Sequence, residues 1–257
     1  MTSTTLPLLE ARGLHKSFGG VQAVRDVSLR VQAGHMLALM GRNGAGKSTT
    51  FNLLNGQLQP DAGEVWIAGQ RVNAHAPRAL WQLGVGRTFQ IAQTFAQMSA
   101  LQQLQLALQS KARPHARGWW RGLFTDLAAG DPREAWDWLD QLGMADQAHQ
   151  CPANMPYGWV KRLELALCLC QAPRIVLMDE PTAGLSAQER LSLMQLTRRL
   201  ASERQIAVVF TEHSLDAVFG FADDMVLLSQ GQVVAQGHPD EVRRMAHAQA
   251  IYFGSAA

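Results

Sequence analysis

The apolar positions of this chain change their period twice. Between residues 8 and 69 they read as strands: Val27, Leu29 and Val31 alternate with polar residues, and Glu64-Val65-Trp66-Ile67 runs into an Ala68-Gly69 turn. Met36-Leu37-Ala38-Leu39-Met40 is unbroken, as expected of a strand covered on both faces. From residue 91 to 172 the period becomes helical. Met98, Leu101, Leu104 and Leu108 recur at helical spacing, Asp131-Pro132 is a helix start for residues 135–142, and residues 160–170 form another helical run. Beyond residue 175 strands and helices alternate again, with strands at 175–178, 207–210 and 225–228 and a helix through 191–200. This predicts an α/β core of residues 1–90 and 173–257, split by a helical insert of residues 91–172.

Composition narrows the picture little. A chain of 257 residues can bury a real core, as one domain or a core with a sub-domain. Its 23 Lys and Arg against 21 Asp and Glu leave a formal charge of +2, without the basic footprint that nucleic-acid binding needs, so no nucleic-acid partner is expected. No apolar run reaches the roughly 18 residues of a spanning helix. Met1-Thr2-Ser3-Thr4-Thr5 has no charged segment leading into an apolar one, and the chain is expected to stay in the cytosol. Cys151, Cys168 and Cys170 suit neither a disulfide framework nor a zinc site and are expected to be reduced packing residues.

Chemistry enters at Gly41-Arg42-Asn43-Gly44-Ala45-Gly46-Lys47-Ser48, which fills every fixed position of G-x-x-x-x-G-K-[ST]. Backbone N–H groups would wrap a phosphate, Lys47 would place a charge on the outer phosphates and Ser48 a hydroxyl on Mg²⁺, with Thr49 next in a helix whose N-terminus faces the anion. The ligand indicated is a nucleoside triphosphate. A second element, Ile175-Val176-Leu177-Met178-Asp179-Glu180, is an apolar strand that ends in two acids, where open α/β sheets bind ligands. Asp179 is placed to hold Mg²⁺, and Glu180 to orient or deprotonate the attacking water. Gln90, after an expected strand at 84–89, could ligate Mg²⁺ or water without adding charge. His213, after the strand at 207–210, could reach a γ-phosphate.

The order of these motifs resembles that of the ATP-binding-cassette (ABC) transporter ATPases, over almost the whole chain. Arg87-Thr88-Phe89-Gln90 resembles the family's Q-loop, Ala183-Gly184-Leu185-Ser186 its D-loop and Thr211-Glu212-His213 its switch histidine. The phosphate loop, Arg-Thr-Phe-Gln and the ending Ile251-Tyr252-Phe253-Gly254 are similar to the branched-chain amino acid importer subfamily. The resemblance implies a P-loop NTPase fold, a RecA-like sheet with an antiparallel β subdomain and an inserted helical subdomain. It implies ATP and Mg²⁺ as ligands, and a catalytic group of Glu180, His213 and Gln90, with Ser48, Gln90 and Asp179 at the metal. It also assigns Phe18 to adenine stacking, a role its π-face suits. The implied activity is ATP hydrolysis driving import of branched-chain or related amino acids. The implied partners are transmembrane permease subunits, a second ATPase subunit and, indirectly, a periplasmic solute-binding protein, at the cytoplasmic face of the inner membrane. Export of another substrate such as lipopolysaccharide, or a soluble non-transport ATPase, are the alternatives.

One motif departs from the family. Where its signature Leu-Ser-Gly-Gly-Gln is due, the chain has Met155-Pro156-Tyr157-Gly158-Trp159 and keeps only the second glycine, Gly158. In the family this segment caps the ATP held by the opposite subunit, and Pro156 brings neither hydroxyl nor N–H. The expectation is a pair with a different chain that carries an intact signature. Trp119-Trp120-Arg121-Gly122-Leu123-Phe124, flanked by Arg113 and Arg117, is expected to pack within the insert rather than to meet lipid or permease.

Overall fold

A computed structural model describes residues 6–73, 75–112 and 132–245. The Trp119–Phe124 cluster and the ending at 251–254 lie outside these residues. The chain separates into two units, one of residues 1–90, 174–183 and 190–257, the other of residues 91–173 and 184–189.

The first unit contains two sheets. Strands β1 (Leu9–Phe18), β2 (Val21–Val31), β4 (Ala62–Ile67) and β5 (Gln70–Arg71) form an antiparallel sheet in the order β2-β1-β4-β5. The alternation at Val27, Leu29 and Val31 places all three in the core. The second sheet runs β10-β9-β3-β8-β7-β6, with β3 (Met36–Gly41), β6 (Val85–Thr88), β7 (Ile175–Asp179), β8 (Ala207–Thr211) and β9 (Asp224–Ser229) parallel and β10 (Gln232–Gly237) antiparallel at one edge. Every residue of β3 is buried, which accounts for its unbroken apolar run. Helix α1 (Lys47–Leu54) follows β3 and sinks Phe51 and Leu54 into the shared core with Leu37, Leu39 and Val209. The C-terminal ends of β3, β7 and β8 therefore lie side by side, and they carry the phosphate loop, the two acids and Thr211-Glu212-His213.

The second unit is helical. Helix α3 (Ala100–Ala112) packs against α4 (Pro132–Gln141) and α5 (Tyr157–Leu169), burying Leu104, Leu139, Leu163 and Ala166. Met98 lies before α3 and not within it, because Gln103 ties the preceding segment down: its amide donates to the carbonyls of Phe95 (3.0 Å) and Met98 (2.9 Å) and accepts from the Phe95 N–H (2.9 Å). Helix α5 starts three residues earlier than its apolar period suggests, since Pro156 at its N-cap has φ −53°, which its ring already imposes.

Helix α6 (Ala187–Glu203) also begins earlier than expected. Ser186 and Glu189 form a capping box, the Ser186 N–H donating to Glu189 (2.9 Å) and the Glu189 N–H to Ser186 Oγ (3.4 Å). Apolar periodicity also passes over β10 and the short helices α2 (Pro77–Gln82), α7 (Leu215–Phe221) and α8 (Pro239–Arg244). The turn into β10 is built by Gln230 and Gly231, both at positive φ (48° and 79°), as a tight hairpin requires.

Candidate functional site

The phosphate loop is held by contacts that leave no room for side chains at two of its glycines. Gly41 has φ 153° and Gly46 φ 100°; a Cβ on Gly41 would stand 2.5 Å from the Leu228 carbonyl oxygen, and one on Gly46 2.5 Å from that of Ala23. Gly44 is also at positive φ (79°), with open space around it. Arg42, Asn43 and Ser48 are exposed, Ala45 is buried and Thr49 is half-buried. Gly46 caps α1 without a side-chain acceptor, so the N–H groups of the first turn point from the loop.

Lys47 is buried, and its Nζ donates to the carbonyls of Gly41 (2.7 Å) and Arg42 (3.2 Å). Burial pulls its pKa down, and the carboxylates of Glu180 and Asp179 oppose that shift.

Around Glu180 the sequence-predicted residues converge. Gln90 Nε2 donates to Glu180 Oε2 (2.9 Å), and His213 Nε2 lies 2.9 Å from Glu180 Oε1. Glu180 itself has φ 45°, a backbone that costs a non-glycine residue on the order of 1–2 kcal/mol. Its N–H donates to Thr211 Oγ1 (2.9 Å), and that hydroxyl donates to Asp179 Oδ1 (2.7 Å). The other Asp179 oxygen faces Arg87, 3.9 Å away. The Arg87 guanidinium stacks between the rings of Phe51 (5.3 Å) and Phe89 (4.9 Å). Burial lowers its pKa, and Asp179 opposes the shift.

Phe18 is 47% exposed, so it is no core residue. It pairs with Val21 in the β1–β2 hairpin, whose Ala23 carbonyl abuts Gly46, and the Lys16 ammonium lies 5.7 Å from its ring. Gly158 belongs to the helical unit. A Cβ there would stand 2.6 Å from Glu189 Oε1, so glycine is required for the close approach of that carboxylate. Ser186 holds the Glu189 carboxyl below the usual range through its hydroxyl and amide. Trp159 carries the Arg162 guanidinium 4.9 Å over its ring.

Three side chains quoted within the motifs, Thr211, Glu212 and Arg87, make contacts that the spacing of the motifs does not foretell. Thr211 and Glu212 look like the ordinary end of a strand, yet both grip the segment after β7. Arg87, quoted with the Q-loop, lies against the rings of Phe51 and Phe89. A pattern of polar residues after two adjacent parallel strands could have pointed to the first two.

Among the described residues no three His, Cys, Asp or Glu side chains form a cage for a metal. The oxygens at hand, one carboxylate and one exposed hydroxyl beside the phosphate loop, suit Mg²⁺, which keeps waters and shares phosphate oxygens with a nucleotide. A nucleotide phosphate suits the loop for the same reason that Gly41 and Gly46 leave no room for a Cβ: backbone, not side chain, lines it. Among the described residues no helix is long and apolar enough to cross a membrane.

Comparison with known proteins agrees with this geometry. A protein-family profile described as "ABC transporter" matches residues 24–183. The chain is 34% identical over 255 residues to BraF of Pseudomonas aeruginosa, a high-affinity branched-chain amino acid transport ATP-binding protein, covering 97% of this chain and 99% of that one. It is 32% identical to LivG of Escherichia coli, which has the same description, at the same coverage. Among solved structures, an ATP-binding cassette of an ABC transporter in its ADP conformation superposes with a TM-score of 0.84 at 25% identity, covering 98% of this chain and all of that one.

Proposed function

Because the chain belongs to the ABC transporter family, we propose that it is the ATP-hydrolysing subunit of an importer for branched-chain or related amino acids. The observation that carries this reading is the convergence of Gln90 and His213 on Glu180, within the field of Lys47 at the head of the phosphate loop. Similarity along nearly the full length of BraF and LivG supports the choice of solute class.

The chemistry follows from the placement of the residues. The loop amides of 41–48 and the α1 N-terminus hold the phosphates, and Lys47 turns its ammonium from the carbonyls of Gly41 and Arg42 to phosphate oxygens. Mg²⁺, when bound, would be held by Asp179, Ser48 and Gln90 and would neutralise charge on the phosphates. Glu180 orients the attacking water and takes its proton, as a carboxylate fixed on two sides can. His213 bridges from Glu180 toward the γ-phosphate. Phe18 offers the adenine an exposed ring on the hairpin beside Gly46.

Transport is indirect and needs partners. Permease subunits form the path, and a periplasmic binding protein delivers solute to them. In the helical unit, Ile91 (73% exposed) and Phe95 (60%) are exposed apolar side chains that suit docking on a permease at the cytoplasmic side of the membrane. The second cassette is a different chain, since Pro156 and Trp159 leave the signature segment without the hydroxyl and small amide that would reach a γ-phosphate across a dimer.

The test is Glu180→Gln in the assembled transporter. The amide keeps the shape and loses the basicity, so ATP binding persists while turnover falls by about 10²-fold or more. Parental turnover would place the water-activating group elsewhere.

A further inference from the structure

Glu212 has no task in the chemistry described so far, yet it is among the most completely engaged side chains of the site. It follows Thr211 at the end of β8 and is 4% exposed. Its two oxygens face different segments. Oε1 accepts from the N–H (3.0 Å) and the hydroxyl (2.5 Å) of Thr182, two residues beyond Glu180. Oε2 accepts from the amides of His213 (3.2 Å) and Ser214 (3.5 Å). A carboxylate removed from water is tolerated where donors replace its hydration, and here they come from two segments that carry reacting groups.

The neighbouring Thr211 hydroxyl already fixes Asp179 and the Glu180 amide. Left-handed backbone at Glu180 persists only where its surroundings over-determine it. We infer that Glu212 is a positioning residue: it ties the turn after Glu180 to the segment bearing His213, so that the 2.9 Å approach of His213 Nε2 to Glu180 Oε1 is set by a side chain belonging to neither. Its burial keeps it from touching substrate. The inference rests on the reading of Glu180 and His213 as the water-orienting pair.

Glu212→Gln keeps the shape but turns one oxygen into an NH₂ that must face N–H donors, either at Thr182 or at His213. In the assembled transporter the expected result is an ATP Kd within about twofold of the parent and a kcat lower by roughly 10- to 100-fold, the scale of a small misplacement in a reacting site, with KM little changed. In a His213→Ala background the same substitution should cost less than about threefold in single-turnover hydrolysis, because the distance it sets no longer matters. A merely structural role would cost the same in both backgrounds. Thr182→Val removes one donor and serves should Glu212→Gln not fold; it should lower kcat in the same direction by less. Parental kcat in Glu212→Gln, or in Thr182→Val where that variant stands in for it, overturns the inference, as do equal losses in the two backgrounds. Parental hydrolysis by both Glu180→Gln and His213→Ala would instead show that the pair itself is misread, and the inference falls with it.

Discussion

Two glycines of the phosphate loop, alike in sequence, should respond very differently to alanine. Gly44 (φ 79°) and Gly46 (φ 100°) both adopt backbone that L-residues avoid, which costs about 1–2 kcal/mol for an added Cβ. At Gly44 that is the whole cost, since nothing stands within 4 Å of the new methyl. At Gly46 the methyl meets the Ala23 carbonyl oxygen at 2.5 Å and Gly231 Cα at 3.3 Å, so β2 and the β9–β10 turn must yield. Overpacking of this kind adds roughly 1–3 kcal/mol, giving about 2–5 kcal/mol in all. For a chain of this size each kcal/mol moves Tm by about 2–4 °C. In nucleotide-free thermal unfolding Gly44→Ala should therefore lose about 2–8 °C and Gly46→Ala about 4–20 °C. ATP titration should show the larger loss of affinity in Gly46→Ala, whose loop has been pushed from its seat. Equal shifts for the two variants, or a smaller one at Gly46, would refute the packing argument.

The other outcomes are simpler to state. Lys47→Ala should fold and lose ATP affinity by about 10- to 150-fold, the worth of a charge-assisted contact of 1.5–3 kcal/mol, in an equilibrium titration. Burial pushes the Cys170 thiol up to about 11, so at pH 8 it holds on the order of 10²-fold less thiolate than an ordinary cysteine. Alkylation in the native state, followed by mass spectrometry, should spare Cys170, mark the half-buried Cys151 and reach Cys170 only at high pH or on unfolding. Pro156→Ser with Trp159→Gln should raise ATP turnover of the chain on its own, by up to 10²–10³-fold if one phosphate donor is regained, and change that of the pair with an intact partner little. A parent homodimer that hydrolyses ATP vigorously would refute the asymmetry.

What the sequence revealed and what it hid divide along physical lines. The phosphate loop was legible because its chemistry is backbone chemistry, and only glycine at Gly41 and Gly46 fits against Leu228 and Ala23. Strands β3, β7 and β8 were legible because burial on both faces demands unbroken apolar runs. The acids and His213 could be placed since those strands are parallel and end at one edge. The hairpin into β10 was missed because its signal is the positive φ of Gln230, a residue with no turn preference to advertise it. Thr211, Glu212 and Arg87 stand within the quoted motifs, but the contacts they make could not be read there, because they reach distant segments: Asp179 and Thr182 for the first two, Phe51 for the third. Local pattern cannot register a contact made between strands.

The signature segment shows why its departure bears on chemistry and not on folding. Pro156 stands at the N-cap of α5, where the helix ladder calls for no N–H, so the donor that proline lacks is not missed, and its φ of −53° suits the ring. The N–H groups of Trp159 (3.0 Å) and Val160 (3.4 Å) both find the Pro156 carbonyl, which closes the first turn. Trp159 is accommodated by Arg162, whose guanidinium covers its ring while donating to the Leu142 carbonyl (3.0 Å). Gly158 stays because Glu189 leaves no space for a Cβ, and that carboxylate is itself fixed by Ser186. The segment thus keeps its helix and its glycine, and under the proposed pairing with a different cassette it lacks only the groups it would extend to that subunit's phosphate. Pro156→Ser should accordingly leave Tm nearly unchanged, which separates a change in rate from a change in stability.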